Sequence, residues 1–402
     1  MFTWTHGKHA VVVVVGFVLC APAGAVVLSL LGCGQSAQTA SGAGTSSHPG
    51  AELTWIGQGG GFMEWGCGGE FLSAKSVYPR VLDVWQWERG ALRRLPEVQA
   101  KHDGDIVWIT GNRYVFESSV EGETRPIGIR DASSGEVRHR WPPPGDWFCR
   151  RIQASRRGDL VGLCLEPRSG GSTSSLQIGL IDTNANEIAW ITALVGSSAA
   201  SAGNVRSVIP SDDGQFIAVG GWDFGVAMID VARKEILWNS RPPNESCLFY
   251  VAFSPDSKVI YAGGTSGTVF GLDVQTGAVL SRWYASLSGQ EEYGHRISCM
   301  AVSPDGRWVA AGTGPEGLVF VGSTQTNKCV KILNHGLSTV QLVHFSPDSQ
   351  ALATFVPGTL KVWNVSQWDM TPPSTAPAQT QAAQTQPAAM QAATSRSGTG
   401  RL

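Results

Sequence analysis

Short apolar runs separated by polar turns recur along most of this chain, and the runs have strand length, not helix length. The clearest unit begins at Tyr250. Tyr250-Val251-Ala252-Phe253 combines β-branched and aromatic residues, which suit a pleated surface. Ser254-Pro255-Asp256-Ser257 then predicts a turn, because proline presets φ and aspartate bonds its own backbone. Val259-Ile260-Tyr261-Ala262 reads as a second strand and the glycine-rich stretch 263–267 as a second turn. Thr268 to Val274 is a third strand, Thr276-Gly277 a third turn, and Ala278 to Trp283 a fourth strand.

The turn phrase returns. Ser303-Pro304-Asp305-Gly306 and Ser346-Pro347-Asp348-Ser349 repeat it, and Ser211-Asp212-Asp213-Gly214 and Ser155-Arg156-Arg157-Gly158 are weaker copies. From Ser155 onward the starting serines are 56, 43, 49 and 43 residues apart. A period in the forties with strand–turn–strand composition is the signature of a β-propeller. Laying the unit over residues 52–368 predicts an all-β, seven-bladed propeller of four-stranded antiparallel blades. The blades run from about Phe62 to Leu95, Asp105 to Trp141, Trp147 to Trp190, Asn204 to Trp238, Tyr250 to Trp283, Arg296 to Leu333, and Val340 to Trp363. The last lacks a fourth strand. A spare strand, Glu52 to Ile56, precedes the first, and pairing the two would close the ring and cover an open edge.

A second recurrence marks the blade exits. Asp131, Asp182, Asp230 and Asp273 end third strands; Trp141, Trp190, Trp238 and Trp283 end outer strands. A tryptophan there can dock between blades and bury a large apolar area. Stacking on a ligand is the alternative role.

The apolar run followed by Ser-Pro-Asp-Gly resembles the WD-repeat family of propellers. Gly294-His295 matches that family's Gly-His dipeptide at a blade entrance, and Val362-Trp363-Asn364-Val365 matches its Trp-Asp position with asparagine for aspartate. The resemblance implies blade-packing roles for His295 and Trp363, and a divergent, bacterial-type member. The Asp-to-Trp spacing also resembles the tryptophan-docking motif of quinoprotein-like propellers, which include pyrroloquinoline-quinone dehydrogenases and cofactor-free, BamB-like lipoproteins that assist outer-membrane protein assembly.

The ends of the chain read differently. Lys8 precedes an apolar stretch, Ala10 to Gly32, and no charge reappears until Glu52. This predicts residues 1–33 as a leader or membrane anchor with the remainder outside the cytoplasm, in the periplasm or on the outer face of the plasma membrane. Leu30-Leu31-Gly32-Cys33 resembles a lipobox, which implies lipidation at Cys33. Residues 34–51 are a Ser/Gly/Ala/Thr linker, and 369–402, rich in Pro, Gln, Ala and Thr, form a disordered tail.

Charge is low at 15%, with a net charge of −2, so no global field favours nucleic acid. Arg93-Arg94, Arg150-Arg151 and Arg156-Arg157 are local basic pairs, read as solvated strand ends with anion contact as the alternative. No CxxC, HExxH, GxSxG or phosphate-loop motif occurs. No cofactor or catalytic residue is therefore assigned. Cys149 and Cys164 would face each other across a hairpin turning at Arg156-Arg157, which allows a cross-strand disulfide. Trp222, in the loop 220–225, is a candidate partner contact. The expected function is a membrane-anchored, non-enzymatic interaction scaffold for an envelope or membrane protein. The alternatives are a quinoprotein-like enzyme or small-ligand binder in the central channel, or a membrane-protein assembly factor.

Overall fold

The computed structural model describes residues 4–6, 9–11, 50–54, 62–65, 71–75, 82–88, 91–94 and, with short interruptions, 103–368; side chains are described within 107–368. The chain divides into two compact units, Met1–Ser36 and Ala37–Leu402. In the first, Trp4–His6 pairs antiparallel with His9–Val11. The predicted anchor beyond Val11, the lipidation candidate Cys33 and the tail 369–402 lie outside the described residues.

The second unit is built of four-stranded antiparallel sheets, and no helix occurs among the described residues. Sheets span residues 62–94, 103–141, 147–194, 205–240, 248–284 and 297–334, each with strands in sequence order. A further sheet takes Leu342–Phe345, Ala351–Val356 and Thr359–Asn364 from the end of the repeats and Gly50–Thr54 from their beginning. The strand expected at Glu52 to Ile56 thus starts two residues earlier and pairs antiparallel with Thr359–Asn364, Leu53 facing Leu360. One contact, Gly221 with Leu248, joins the 205–240 and 248–284 sheets into a single eight-stranded sheet.

Burial explains the apolar runs. Second and third strands such as Phe216–Gly221, Trp308–Thr313 and Leu318–Ser323 are buried at every position. A strand covered on both faces needs no polar alternation. The fourth strand Val279–Tyr284 is exposed at half of its positions and buried only at Trp283. Each apolar cluster draws on two consecutive sheets. Ile178, Ile191, Val208 and Ile229 share one; Phe216, Met228, Ile260 and Leu272 share the next; Trp308, Val319, Val343 and Leu352 share another. Burying such side chains contributes about 1.5–3 kcal/mol each, so the stacking of sheets holds the fold together.

The recurrent turn is a hydrogen-bonded staple. The hydroxyls of Ser211, Ser254, Ser303 and Ser346 each donate to the aspartate two residues on, at 2.5–2.6 Å. Each also accepts the backbone N–H five residues on. The aspartate accepts the N–H four residues after the serine, so in each turn one side-chain pair satisfies two backbone groups that a tight turn would leave open. The fourth turn residue has positive φ: Gly158, Gly214 and Gly306 hold it without strain, while Ser257 and Ser349 adopt it at 56° and 59°.

The disulfide expectation is corrected. A bulge between Cys149 and Arg151 shifts the register, so Cys149 faces Leu165 and Cys164 faces Arg151. The two thiols are therefore not bridged to each other. Cys164 is buried in the cluster shared with the 205–240 sheet, while Cys149 packs against the cluster on the other side. Bulges recur at the same place in the first strands of neighbouring sheets, between Val205 and Ser207, Leu248 and Tyr250, and Ile297 and Cys299.

Candidate functional site

Antiparallel order decides which loops share an end. In each sheet, the loop between strands two and three lies at the end where strand one begins, together with the connection from strand four of the preceding sheet. Trp222 lies in a loop of the first kind. Leu287 and Leu337 lie in connections of the second kind. All three are exposed, at 41%, 68% and 95%. Trp222 also rests on Phe249 of the following sheet, ring centroids 4.9 Å apart, and Arg296 covers the same phenyl ring at 5.6 Å. The indole is thus held in place by its neighbour while much of it faces solvent.

The other predicted tryptophans pack. Trp238 donates from Nε1 to the Val274 carbonyl at 2.7 Å in the next sheet. Trp283 is buried, with its indole beside Gly322, also in the next sheet. Trp141 is buried beside His139, and Trp190 is half-buried against Gly179 of its own sheet. The aspartates before them accept backbone N–H bonds in the turn to the outer strand: Asp131 from Ser134, Asp182 from Ala185, Asp230 from Arg233, Asp273 from Thr276. His295 stacks on Phe320 at 5.4 Å, and its Nδ1 lies 3.5 Å from a Glu316 carboxylate oxygen.

The sequence reading missed one cluster. Trp363 donates from Nε1 to the Thr354 hydroxyl at 2.7 Å, and that hydroxyl also bonds His335 Nε2. Lys361 lies over the Trp363 ring and donates to the Asn334 carbonyl. Burial, with Lys361 adding to it, lowers the His335 pKa to about 4. The available signal was a histidine in the strand-four-to-one connection, followed by threonine on strand two and tryptophan on strand three.

First strands line a channel of about 630 Å³. Its wall carries Arg151, Arg206, Tyr250 and His344, and its mouth is formed by turn residues including Arg156, Arg157 and Asp212. Arg156 and Asp212 pair across neighbouring sheets at 2.6 Å. Burial raises the Tyr250 phenol pKa and Cys299 acts the same way, while Arg206, Arg151 and Arg296 pull it down. Burial also lowers the His344 pKa. Among the described residues, no group of three or more His, Cys, Asp or Glu converges as a metal site.

The WD domain, G-beta repeat family model matches residues 193–230 and 286–321. Both matches end at or near the close of a third strand, Gly225–Asp230 and Leu318–Ser323, so the repeat runs from a connecting segment through strands one to three. The periodic tryptophan protein 2 homolog of Dictyostelium discoideum is 29% identical over 165 residues, 40% of this chain; the chain spans 17% of that relative's length. A chain in the crystal structure of the mitotic checkpoint complex superposes with a TM-score of 0.59 at 18% identity, covering 82% of this chain and 99% of that one. These findings support a WD40-like β-propeller.

Proposed function

We propose that this chain is a non-enzymatic propeller that binds a protein partner on the end bearing Trp222, Leu287 and Leu337. The observation that carries the reading is the exposure of three large apolar side chains on loops that share one end, in a scaffold whose other described tryptophans are buried or half-buried. Tryptophan held by a neighbour yet open to solvent suits an interface anchor, because little side-chain entropy remains to be lost on binding. Rigid scaffolds present binding residues on such loops.

Two finer points belong to the same reading. The sheets close as seven blades, supported by the neighbouring of each first strand with the next and of Leu342–Phe345 with Phe62–Trp65. The propeller is tethered to a membrane, outside the cytoplasm, through the apolar stretch Ala10 to Gly32 or a lipid on Cys33; the support is the composition of that stretch. Protease accessibility of the propeller in cells stripped of any outer envelope but with an intact plasma membrane checks the second point, and complete protection would overturn it.

The partner reading is tested by crosslinking in native extracts with a carboxyl-terminal tag, comparing the wild type with Trp222→Ser/Leu337→Asp. A stoichiometric protein captured by the wild type and lost in the variant is the expected result. Equal capture by both would move the interface elsewhere.

A further inference from the structure

The charges facing the channel are unbalanced. Four guanidiniums, those of Arg151, Arg156, Arg157 and Arg206, line it, against one carboxylate, Asp212, among the described residues. The formal excess is three positive charges, in a chain whose net charge is −2. Asp212 is already engaged: Arg156 holds it at 2.6 and 2.8 Å, and the Arg157 backbone N–H donates to its other oxygen at 3.2 Å. Arg157 in turn meets Asp159 at 3.3 Å. Arg206 is different. It sits at the bulge in the strand Val205–Pro210, half-buried, with no ion pair among the described residues.

We propose that the channel binds a compact, multiply charged, phosphate-bearing anion, seated against Arg206 and Arg151 and admitted past Arg156 and Arg157. Three physical arguments support it. Guanidinium forks match phosphate oxygens in pairs, and such charge-assisted bonds are about twice as strong as neutral ones. Low-dielectric walls, here Ile152, Val251, Phe253, Val302 and Phe345, focus the field of the arginines instead of screening it. The cavity has small-molecule dimensions, within the range of roughly 300–1,000 Å³ usual for ligand sites. Tyr250 adds a phenol on the same wall, its pKa raised by burial so that it stays a neutral hydrogen-bond donor. The size of the site favours a small anion over an acidic protein segment. The inference does not depend on the partner face, which lies on loops at the other end from the turns that form this mouth.

The test is calorimetric titration of the full chain with inorganic tripolyphosphate at low ionic strength. One site is expected, weakening as salt rises. Arg206→Gln should weaken binding at least about tenfold, through the loss of a charge-assisted fork. Arg206→Lys should weaken it less, and Arg282→Gln, on an exposed outer strand away from the channel, should leave it unchanged. Thermal melts without ligand show whether each variant is folded. Were Arg206→Gln to unfold, Arg157→Gln at the exposed mouth carries the test, with a several-fold loss expected. Absence of binding, or equal affinity in wild type and variant, overturns the proposal. A glutamate-rich peptide that binds with Arg206 dependence where tripolyphosphate does not would also overturn it, in favour of a protein segment.

Discussion

Trp238 donates its indole N–H to the Val274 carbonyl of the following sheet at 2.7 Å, and its ring lies against the turn glycine Gly277. A Cβ at Gly277 would come within 2.8 Å of that ring, and the backbone there has φ of 72°. Gly277→Ala therefore combines backbone strain with a steric clash. It should cost about 2–3 kcal/mol in urea unfolding. Trp238→Phe keeps most of the packing and strands the Val274 carbonyl, at a cost of about 1–2 kcal/mol. Wild-type stability in Gly277→Ala would mean that the indole is not seated there in solution.

The two serines with positive φ should respond differently to glycine. Ser257 has φ of 56°, and its hydroxyl makes no hydrogen bond among the described residues. Ser257→Gly should stabilise by about 0.5–1 kcal/mol, the relief of left-handed strain outweighing the added freedom of the unfolded chain. The Ser349 hydroxyl instead accepts the Asp305 N–H of the neighbouring sheet at 3.0 Å. Ser349→Gly gains the same relief and loses that bond, so its net effect should be near zero or destabilising. Equal shifts in melting temperature for the two variants would refute the distinction.

How much of this was legible depends on whether the signal was local. The Ser-Pro-Asp turns are local chemistry, a hydroxyl and a carboxylate two residues apart, and the strands follow from apolar runs. Pairing of the spare amino-terminal strand with Thr359–Asn364 could be inferred because an open edge needs a partner. The bulge before Arg151 could not: nothing in the residues around Cys149 announces an extra residue in one strand, and one residue is enough to separate two thiols. The His335–Thr354–Trp363 cluster joins three elements, and the channel arginines come from separate sheets. Such sites exist only after the sheets are stacked.

His335 gives the fold a pH dependence of defined sign. Its pKa falls from 6.5 to about 4 in the folded chain, through burial first and Lys361 second. Between those values the unfolded chain holds a proton that the folded chain lacks. Stability from this group is therefore complete above pH 6.5 and is lost as pH falls towards 4. From pH 7 to pH 5 the loss should be about 2 kcal/mol. His344, also lowered by burial, acts in the same direction, so the contribution of His335 is isolated by comparison with His335→Gln. The variant should be less stable at pH 7 and show a shallower decline. An identical pH slope in both proteins would show that His335 is not buried as described.

Arg156 and Asp212 link two turns that belong to different sheets. Their contacts are short, Nε to Oδ2 at 2.8 Å and Nη2 to Oδ2 at 2.6 Å, and the aspartate side chain is 11% exposed against 38% for the arginine. Most surface ion pairs contribute little because two long side chains must be immobilised for a screened attraction. Here the Arg157 N–H already fixes the carboxylate, which lowers that cost. A double-mutant cycle with Arg156→Ala and Asp212→Ala should give a coupling energy of about 1 kcal/mol, falling with added salt. Asp212→Ala alone should cost more than Arg156→Ala, because it also leaves the Arg157 N–H without its acceptor. The same variant removes the one carboxylate among the described channel-lining residues, so it should tighten anion binding as it weakens the fold. A loss of both stability and anion affinity would contradict the placement of Asp212 at the channel mouth as a competitor for the arginines.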